Sequence, residues 1–108
     1  ICAVHSFTPR LRSRAPRPWE IGVLYAEDKR LAVPFMDACR AQGWCTGDNE
    51  PYAGHLPGDA VDRHALQQGR PNVLIELRHD LIADEAGQTL WANRLAPILA
   101  NVLARSGL

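Results

Sequence analysis

Asn72-Val73-Leu74-Ile75-Glu76-Leu77-Arg78 is the most strand-like segment of the sequence, and it indicates the class of fold. Its nearly continuous apolar run is typical of a strand that is buried on both faces of a sheet. Outward from it, shorter apolar runs predict further strands at 1–4, 20–25 and 44–46. The first of these runs is also interpreted as a buried strand, and it ends at His5.

Apolar residues at helical spacing occur between these predicted strands and predict helices there. It recurs between Asp28, which can cap a helix, and Gly43, which can end one. A short helix is predicted at 59–68, and a last helix at about 88–105, where Pro97 should produce a kink. The order strand, strand, helix, strand, helix, strand, helix predicts an α/β fold.

Length and composition limit the class of protein. The chain has 108 residues, enough for one domain, and its 46% hydrophobic and 22% charged residues are typical of a soluble globular protein. Its 12 basic residues balance its 12 acidic ones, which argues against nucleic acid or an anionic membrane as a partner. No apolar run approaches the roughly 20 residues of a membrane span. The first residues lack a signal-peptide pattern and an initiator Met, so we expect a processed chain or a fragment of a longer one.

The cysteines indicate the compartment. Cys2, Cys39 and Cys45 form no CxxC pair and have no spacing typical of a zinc site. Buried free thiols are typical of proteins in a reducing compartment. We therefore expect a cytoplasmic protein.

Two polar residues accompany the predicted buried strands. An ionised carboxylate at Glu76 is costly within an apolar strand unless it has a partner or a metal. One explanation is an ion pair with Arg78, which two-residue spacing places on the same face. The other is a general base whose pKa is tuned by burial. His5 fits either a structural histidine or a metal ligand that the strand holds rigidly.

Two polar loops and the short helix carry further candidates. The loop at 8–18 contains four arginines, which fit a solvated loop or a site that binds the carboxylate of a small molecule through a bidentate guanidinium. The loop at 47–58 contains Tyr52 and His55, and the short helix contains Asp62-Arg63-His64. Surface positions explain these residues equally well at this point.

Five short segments occur in a fixed order along nearly the whole chain. They are 5–9 (HSFTP), 18–25 (PWEIGVLY), 47–52 (GDNEPY), 62–64 (DRH) and 75–82 (IELRHDLI). Each is weakly specific by itself, but the ordered set resembles the N-formylglutamate amidohydrolase family, also called N-formylglutamate deformylases. That family is similar to the zinc carboxypeptidases, and the resemblance implies α/β/α layers around a mixed sheet of the zinc-exopeptidase type.

The resemblance also implies a reaction and roles for particular residues. His5 would be a ligand of Zn²⁺, which lowers the pKa of bound water and polarises a carbonyl. Glu76 would be the catalytic base that takes the proton of the water and delivers it to the leaving amine. The substrate would be N-formylglutamate or a similar small N-acyl amino acid with carboxylates, as in histidine degradation. Candidates for binding those carboxylates are Arg17, Tyr52, Arg63 and His64.

The chain departs from the family pattern in one respect. The family takes its other two zinc ligands from a His-x-x-Glu pair upstream of the His-Ser motif, but only four residues precede His5. The resemblance therefore covers only the C-terminal part of the family domain. Residues 1–108 would be a fragment of a longer amidohydrolase, a non-catalytic α/β binding module derived from it, or a chain whose site is completed by an upstream segment or a second chain.

These interpretations make a geometric prediction. His5 and Glu76 should lie at the same end of the sheet, on neighbouring or nearly neighbouring strands, and face one cavity. The non-catalytic alternative predicts a filled or closed site instead. In either case, we expect the 108 residues alone to bind zinc poorly.

Overall fold

A four-stranded mixed sheet forms the centre of the protein. The computed structural model describes residues 1–54 and 56–108; His55, in the second loop, lies outside the described residues. In the described part, the strands are β1 (Cys2–Phe7), β2 (Ile21–Leu24), β3 (Thr46–Asp48) and β4 (Val73–Arg78). Their order across the sheet is β1-β4-β2-β3. β4 is parallel to β1 and antiparallel to β2, and β2 is parallel to β3.

Helices connect the strands in the predicted order. Those in the described ranges are α1 (Ala32–Ala41), α2 (Ala60–His64) and α3 (Glu85–Arg105), with single 3₁₀ turns at Leu66–Gln68 and His79–Ile82. None of these helices is both long and apolar enough to cross a bilayer.

The helices lie on both faces of the sheet. α1 and α3 cover one face, where the larger core contains Ile21, Val23, Phe35, Met36, Val73, Ile75, Leu77, Trp91 and Leu95. α2 and the 3₁₀ turn after it cover part of the other face, through Val61 and Ala65 against Leu24 and Leu74. The predicted α/β class, with a mixed sheet between helical layers, is confirmed.

β1 differs from its prediction in two ways. The strand continues past His5 to Phe7, so His5 lies within the strand rather than at its end. It is also an edge strand and not a buried one, since β4 is its only neighbour among the described strands and Val4 is 60% exposed. A short apolar run looks the same at the edge of a sheet and at its centre, so the pattern did not distinguish the two positions.

The helix ends follow local hydrogen bonding more closely than apolar spacing. Asp28 does not cap α1 as predicted, because its carboxylate binds the guanidinium of Arg30 at 2.7 and 3.0 Å. α3 begins earlier than predicted, at Glu85, since Asp84 accepts the backbone N–H of Gly87 at 2.7 Å.

The thiols are less buried than the sequence suggested. All three cysteines are free, but only Cys39 is buried, whereas Cys2 and Cys45 are exposed.

Candidate functional site

His5 and Glu76 are partners in the parallel register of β1 and β4. Side chains of register partners point to the same face of a sheet, here the face that α2 partly covers. Nδ1 of His5 lies 3.6 Å from Oε1 of Glu76. The two residues are thus on neighbouring strands and line one cavity, which agrees with the predicted geometry. Their chemical roles stay predictions.

The two side chains differ sharply in exposure. The imidazole of His5 is 57% exposed, whereas the Glu76 side chain is only 7% exposed. Loss of hydration disfavours the ionised carboxylate, and this raises the pKa of Glu76 above its ordinary value. His5 and, to a lesser extent, Arg17 favour the ionised form and oppose the effect of burial. The net effect is an upward shift of the Glu76 pKa, the direction expected of a carboxylate that acts as a general base.

One oxygen of Glu76 is unsatisfied. Oε2 is buried and has no hydrogen-bond partner among the residues that the structure describes. Most buried polar atoms in folded proteins have a partner, so an exception calls for a physical explanation. The carboxylate of Glu76 thus lines the cavity and keeps one buried oxygen without a partner among the described residues.

The cavity itself has a volume of about 390 Å³. Leu24 and Leu74 form an apolar wall on the sheet, and Asp59, the residue that caps α2, lies at the helix. The loop after β3 contributes the rest of the lining, with Tyr52, Ala53, Gly54 and Leu56. The volume lies in the range of small-molecule sites, and it suits a ligand the size of an amino acid derivative.

Two glycines allow the loop after β3 to lie directly against β2. A Cβ atom at Gly54 would collide with the backbone of Tyr25, and one at Gly22 would collide with the carbonyl oxygen of Glu50. Asn49 adds a hydrogen bond of 2.9 Å from the backbone N–H of Tyr25 to its side-chain oxygen. This close packing holds the loop that carries Tyr52 over the sheet.

Arg17 is held against two aromatic rings beside this cavity. Its Cζ lies 5.1 Å from the ring centroid of Tyr52 and 5.8 Å from that of Phe7. Nη1 of Arg17 donates to the Tyr52 hydroxyl and to the Thr8 carbonyl, each at 3.1 Å. Phe7 follows His5 by two positions in β1, so its side chain points to the same face as His5.

Arg78 contacts the end of the loop between β1 and β2 and is not the ion-pair partner of Glu76. Its Nε donates to Asp80 at 2.7 Å, and its Nη1 lies 3.4 Å from the carbonyl oxygens of three consecutive residues, Arg17, Pro18 and Trp19. The ion pair between Glu76 and Arg78, one of the two explanations considered for the buried carboxylate, is therefore not formed.

Comparison with known proteins identifies the family. A family model described as N-formylglutamate amidohydrolase matches residues 1–83, a range that includes all four strands and the cavity. The chain belongs to the N-formylglutamate amidohydrolase family.

A solved structure supports the fold of this amidohydrolase family member. The crystal structure of gene product Atu2144 from Agrobacterium tumefaciens matches with a TM-score of 0.83 and 35% sequence identity. The match covers 96% of this chain but only 42% of that one, so the chain spans less than half the length of its structural relative. No curated protein matches the chain.

Two candidates on α2 are placed differently from the rest of the site. Arg63 and His64 are exposed, and neither belongs to the lining of the cavity within residues 1–54 and 56–108. The described hydrogen bonds of both use backbone atoms: the Arg63 N–H donates to the Asp59 carbonyl, and the His64 carbonyl accepts from Arg70. The structure thus brings together four of the six candidate residues, His5, Glu76, Tyr52 and Arg17.

Asp59 is a cavity residue that the sequence identified only as part of a helix. Its Oδ1 accepts the Asp62 N–H at 2.7 Å, so an ordinary helix cap explains the residue at the sequence level. Its place at the cavity depends on how α2 packs on the sheet.

The residues at the cavity do not form a complete metal site. No group of three or more His, Cys, Asp or Glu side chains able to hold an ion occurs in the described part of the chain. Catalytic zinc sites in proteins use three protein ligands and one open position. His5 alone therefore does not fit a catalytic zinc ion.

Proposed function

We propose that the protein is a hydrolase that cleaves the amide bond of N-formylglutamate or a similar N-acyl amino acid, and that Glu76 is its general base. The main support is the free Oε2 of a buried carboxylate in a cavity beside His5. Family membership supports the class of reaction, and the cavity volume suits a substrate of this size.

Glu76 carries the proton in this proposal. Water forms a bond to the acyl carbon while the Glu76 carboxylate takes the proton that the water loses. The C–N bond then breaks, and Glu76 returns the proton to the nitrogen of the leaving amine, so that a carboxylic acid and an amino acid are released. Burial supports this role because a raised pKa brings the proton affinity of the carboxylate closer to neutral pH.

We also propose that His5 is one ligand of a zinc ion in a complete site. An exposed imidazole on a β-strand is held with little freedom, which suits a metal ligand. Bound Zn²⁺ would lower the pKa of water and polarise the acyl carbonyl. The remaining ligands would come from another segment of a longer chain or from a second chain.

The decisive test is the Glu76→Gln variant in the protein that contains this segment and its metal. Gln keeps the shape and the hydrogen-bonding capacity of Glu but cannot accept the proton. Formate release from N-formylglutamate should fall by about 10²–10⁴-fold in kcat. Glu27→Gln, at an exposed carboxylate, serves as the control and should keep wild-type activity. A Glu76→Gln variant with wild-type kcat would remove Glu76 from the mechanism.

A non-catalytic binding module is the second candidate. The specific observation in its favour is that the described residues include no group of three metal ligands. It predicts that the protein retains no zinc and releases no formate from N-formylglutamate. The cavity of about 390 Å³ counts against it, since this candidate also predicts a filled or closed site.

A further inference from the structure

Arg78 lies beside Glu76 in β4 but pairs with other groups. The two residues are two positions apart, so their side chains point to the same face of the sheet and start about 7 Å apart along the strand. An arginine has a long side chain, and its guanidinium fits a carboxylate through two parallel hydrogen bonds. A pair with Glu76 would be an ordinary solution for a carboxylate that is only 7% exposed. Its absence therefore calls for a cause.

Asp80 provides that cause, together with the loop between β1 and β2. Nε of Arg78 donates to Oδ1 of Asp80 at 2.7 Å, and Nη2 donates to Oδ2 at 3.3 Å. Nη1 lies 3.4 Å from the carbonyl oxygens of residues 17–19. All three nitrogens of the guanidinium therefore have acceptors other than Glu76.

We infer that Asp80 is a positioning residue, which holds Arg78 against the end of the loop and thereby keeps its guanidinium away from Glu76. A guanidinium bound to both oxygens of Glu76 would occupy the positions at which a general base accepts a hydrogen bond from water. The hydrogen bond from Arg78 is the main cause that lowers the pKa of Asp80, so Asp80 is ionised at neutral pH and the pair is maintained. The inference rests on the proposed function only for its effect on the reaction.

The first test measures the coupling between Arg78 and Glu76 by a double-mutant cycle of Arg78→Met and Glu76→Gln. Denaturant unfolding of the complete protein that contains this segment gives the cycle twice, once with Asp80 and once with Asp80→Asn. With Asp80, the two substitutions should be additive to within about twofold in the unfolding equilibrium constant. With Asp80→Asn, Arg78 is released and the coupling should rise to about 5- to 50-fold. Equal coupling in the two backgrounds would overturn the inference.

The second test measures kcat for formate release at saturating N-formylglutamate in the complete, metal-loaded protein. Asp80→Asn should lower kcat by about 10- to 100-fold, because Arg78 then pairs with the base. Adding Arg78→Met should restore kcat to within about threefold of wild type, since no guanidinium remains to pair with Glu76. A pair that only supported the fold would instead change stability and leave kcat per folded molecule unchanged.

Two further variants serve as controls. Asp80→Glu keeps a carboxylate near Arg78 and should retain kcat to within about threefold. Asp37→Asn removes an exposed carboxylate from α1 and should change neither the coupling nor kcat. The side chain of Asp80 is 43% exposed, so we expect each variant at this position to fold, which thermal unfolding verifies. Wild-type kcat in Asp80→Asn, or a loss that Arg78→Met does not restore, would overturn the inference.

The two tests also separate this inference from the proposed function. If the coupling appears only with Asp80→Asn but the wild-type protein releases no formate, Asp80 directs Arg78 as inferred and the hydrolase proposal fails. If the wild-type protein releases formate and the coupling is the same in both backgrounds, the hydrolase proposal stands and the inference fails.

Discussion

His5 and Glu76 are 71 residues apart in the sequence, yet the register of β1 and β4 places an exposed imidazole 3.6 Å from a buried carboxylate. The pairing is set by backbone hydrogen bonds and not by attraction between the two side chains. It therefore persists when either side chain is changed, and each can be tested separately.

Replacing Glu76 with Gln should stabilise the protein at neutral pH. Burial raises the pKa of Glu76 above its ordinary value of 4.5, so the folded state binds a proton more tightly than the unfolded state. The stability that this proton provides is present below pH 4.5 and is lost as the pH rises through the folded-state pKa. Gln carries no charge and avoids this loss.

The expected effect is a higher Tm for Glu76→Gln than for wild type at pH 7. The difference should shrink toward zero below pH 4.5. Thermal unfolding of wild type and Glu76→Gln at pH 4 and pH 7 measures both effects. A lower Tm for the variant at pH 7 would mean that the ionised carboxylate stabilises the fold through His5.

His5→Ala should affect metal retention and not stability. The His5 side chain is more than half exposed, so its loss should change the free energy of unfolding by less than about 0.5 kcal/mol. In the complete metal-loaded protein, loss of a direct ligand should weaken zinc binding by at least roughly 100-fold. Zinc content is measured after dialysis against a chelator. Glu76→Gln is the control and should retain zinc. Equal zinc retention by His5→Ala would exclude His5 as a ligand.

Gly54→Ala should displace the loop that carries Tyr52. The added methyl group would overlap the backbone of Tyr25, so we expect a loss of about 3 kcal/mol and weaker ligand binding. Gly43→Asn is a comparison variant in open space; its positive φ of 83° strains any side chain, but Asn least among ordinary residues, so we expect a smaller loss than for Gly54→Ala. Denaturant unfolding of both variants tests this, and equal stability would show that the loop does not depend on the contact.

The three thiols should differ in reactivity. Burial raises the pKa of Cys39 to about 12, so almost none of it is thiolate at pH 8. Iodoacetamide should modify the exposed Cys2 and Cys45 in the folded protein, and Cys39 only after unfolding. Intact-mass measurement before and after denaturation follows the number of additions. Rapid modification of Cys39 in the folded state would show that the core between α1 and the sheet opens easily.

Periodicity predicted the order of the elements and made His5 and Glu76 conspicuous, but their roles come from the family resemblance and stay predictions. A carboxylate within the apolar run of β4 is conspicuous, and a histidine after an apolar run is visible in the same way. The position of β1 at the edge was not predictable, because strand order depends on pairing between distant segments. The partner of Arg78 was missed for a related reason, since spacing placed both Glu76 and Asp80 within its reach.

The candidate substrate-binding residues show where sequence reasoning ends. Arg17, Tyr52, Arg63 and His64 were equivalent as members of polar segments. The 8–18 loop closes on itself through a hydrogen bond of 2.8 Å from the backbone N–H of Arg17 to the Pro9 carbonyl. This closure brings the Arg17 side chain to Tyr52. Neither local propensity nor spacing encodes that contact.

The central position of β4 has a consequence for synthesis of the protein. Of the four described strands, β1 is made before the others, but its neighbour in the sheet, β4, is made after them. Until then, the backbone N–H and C=O groups of β1 that pair with β4 are open to pairing with other nascent chains. Contacts between such distant segments also slow folding, because a long loop must close before they form. The strand that carries His5 is therefore the segment for which a chaperone or slow translation would matter most.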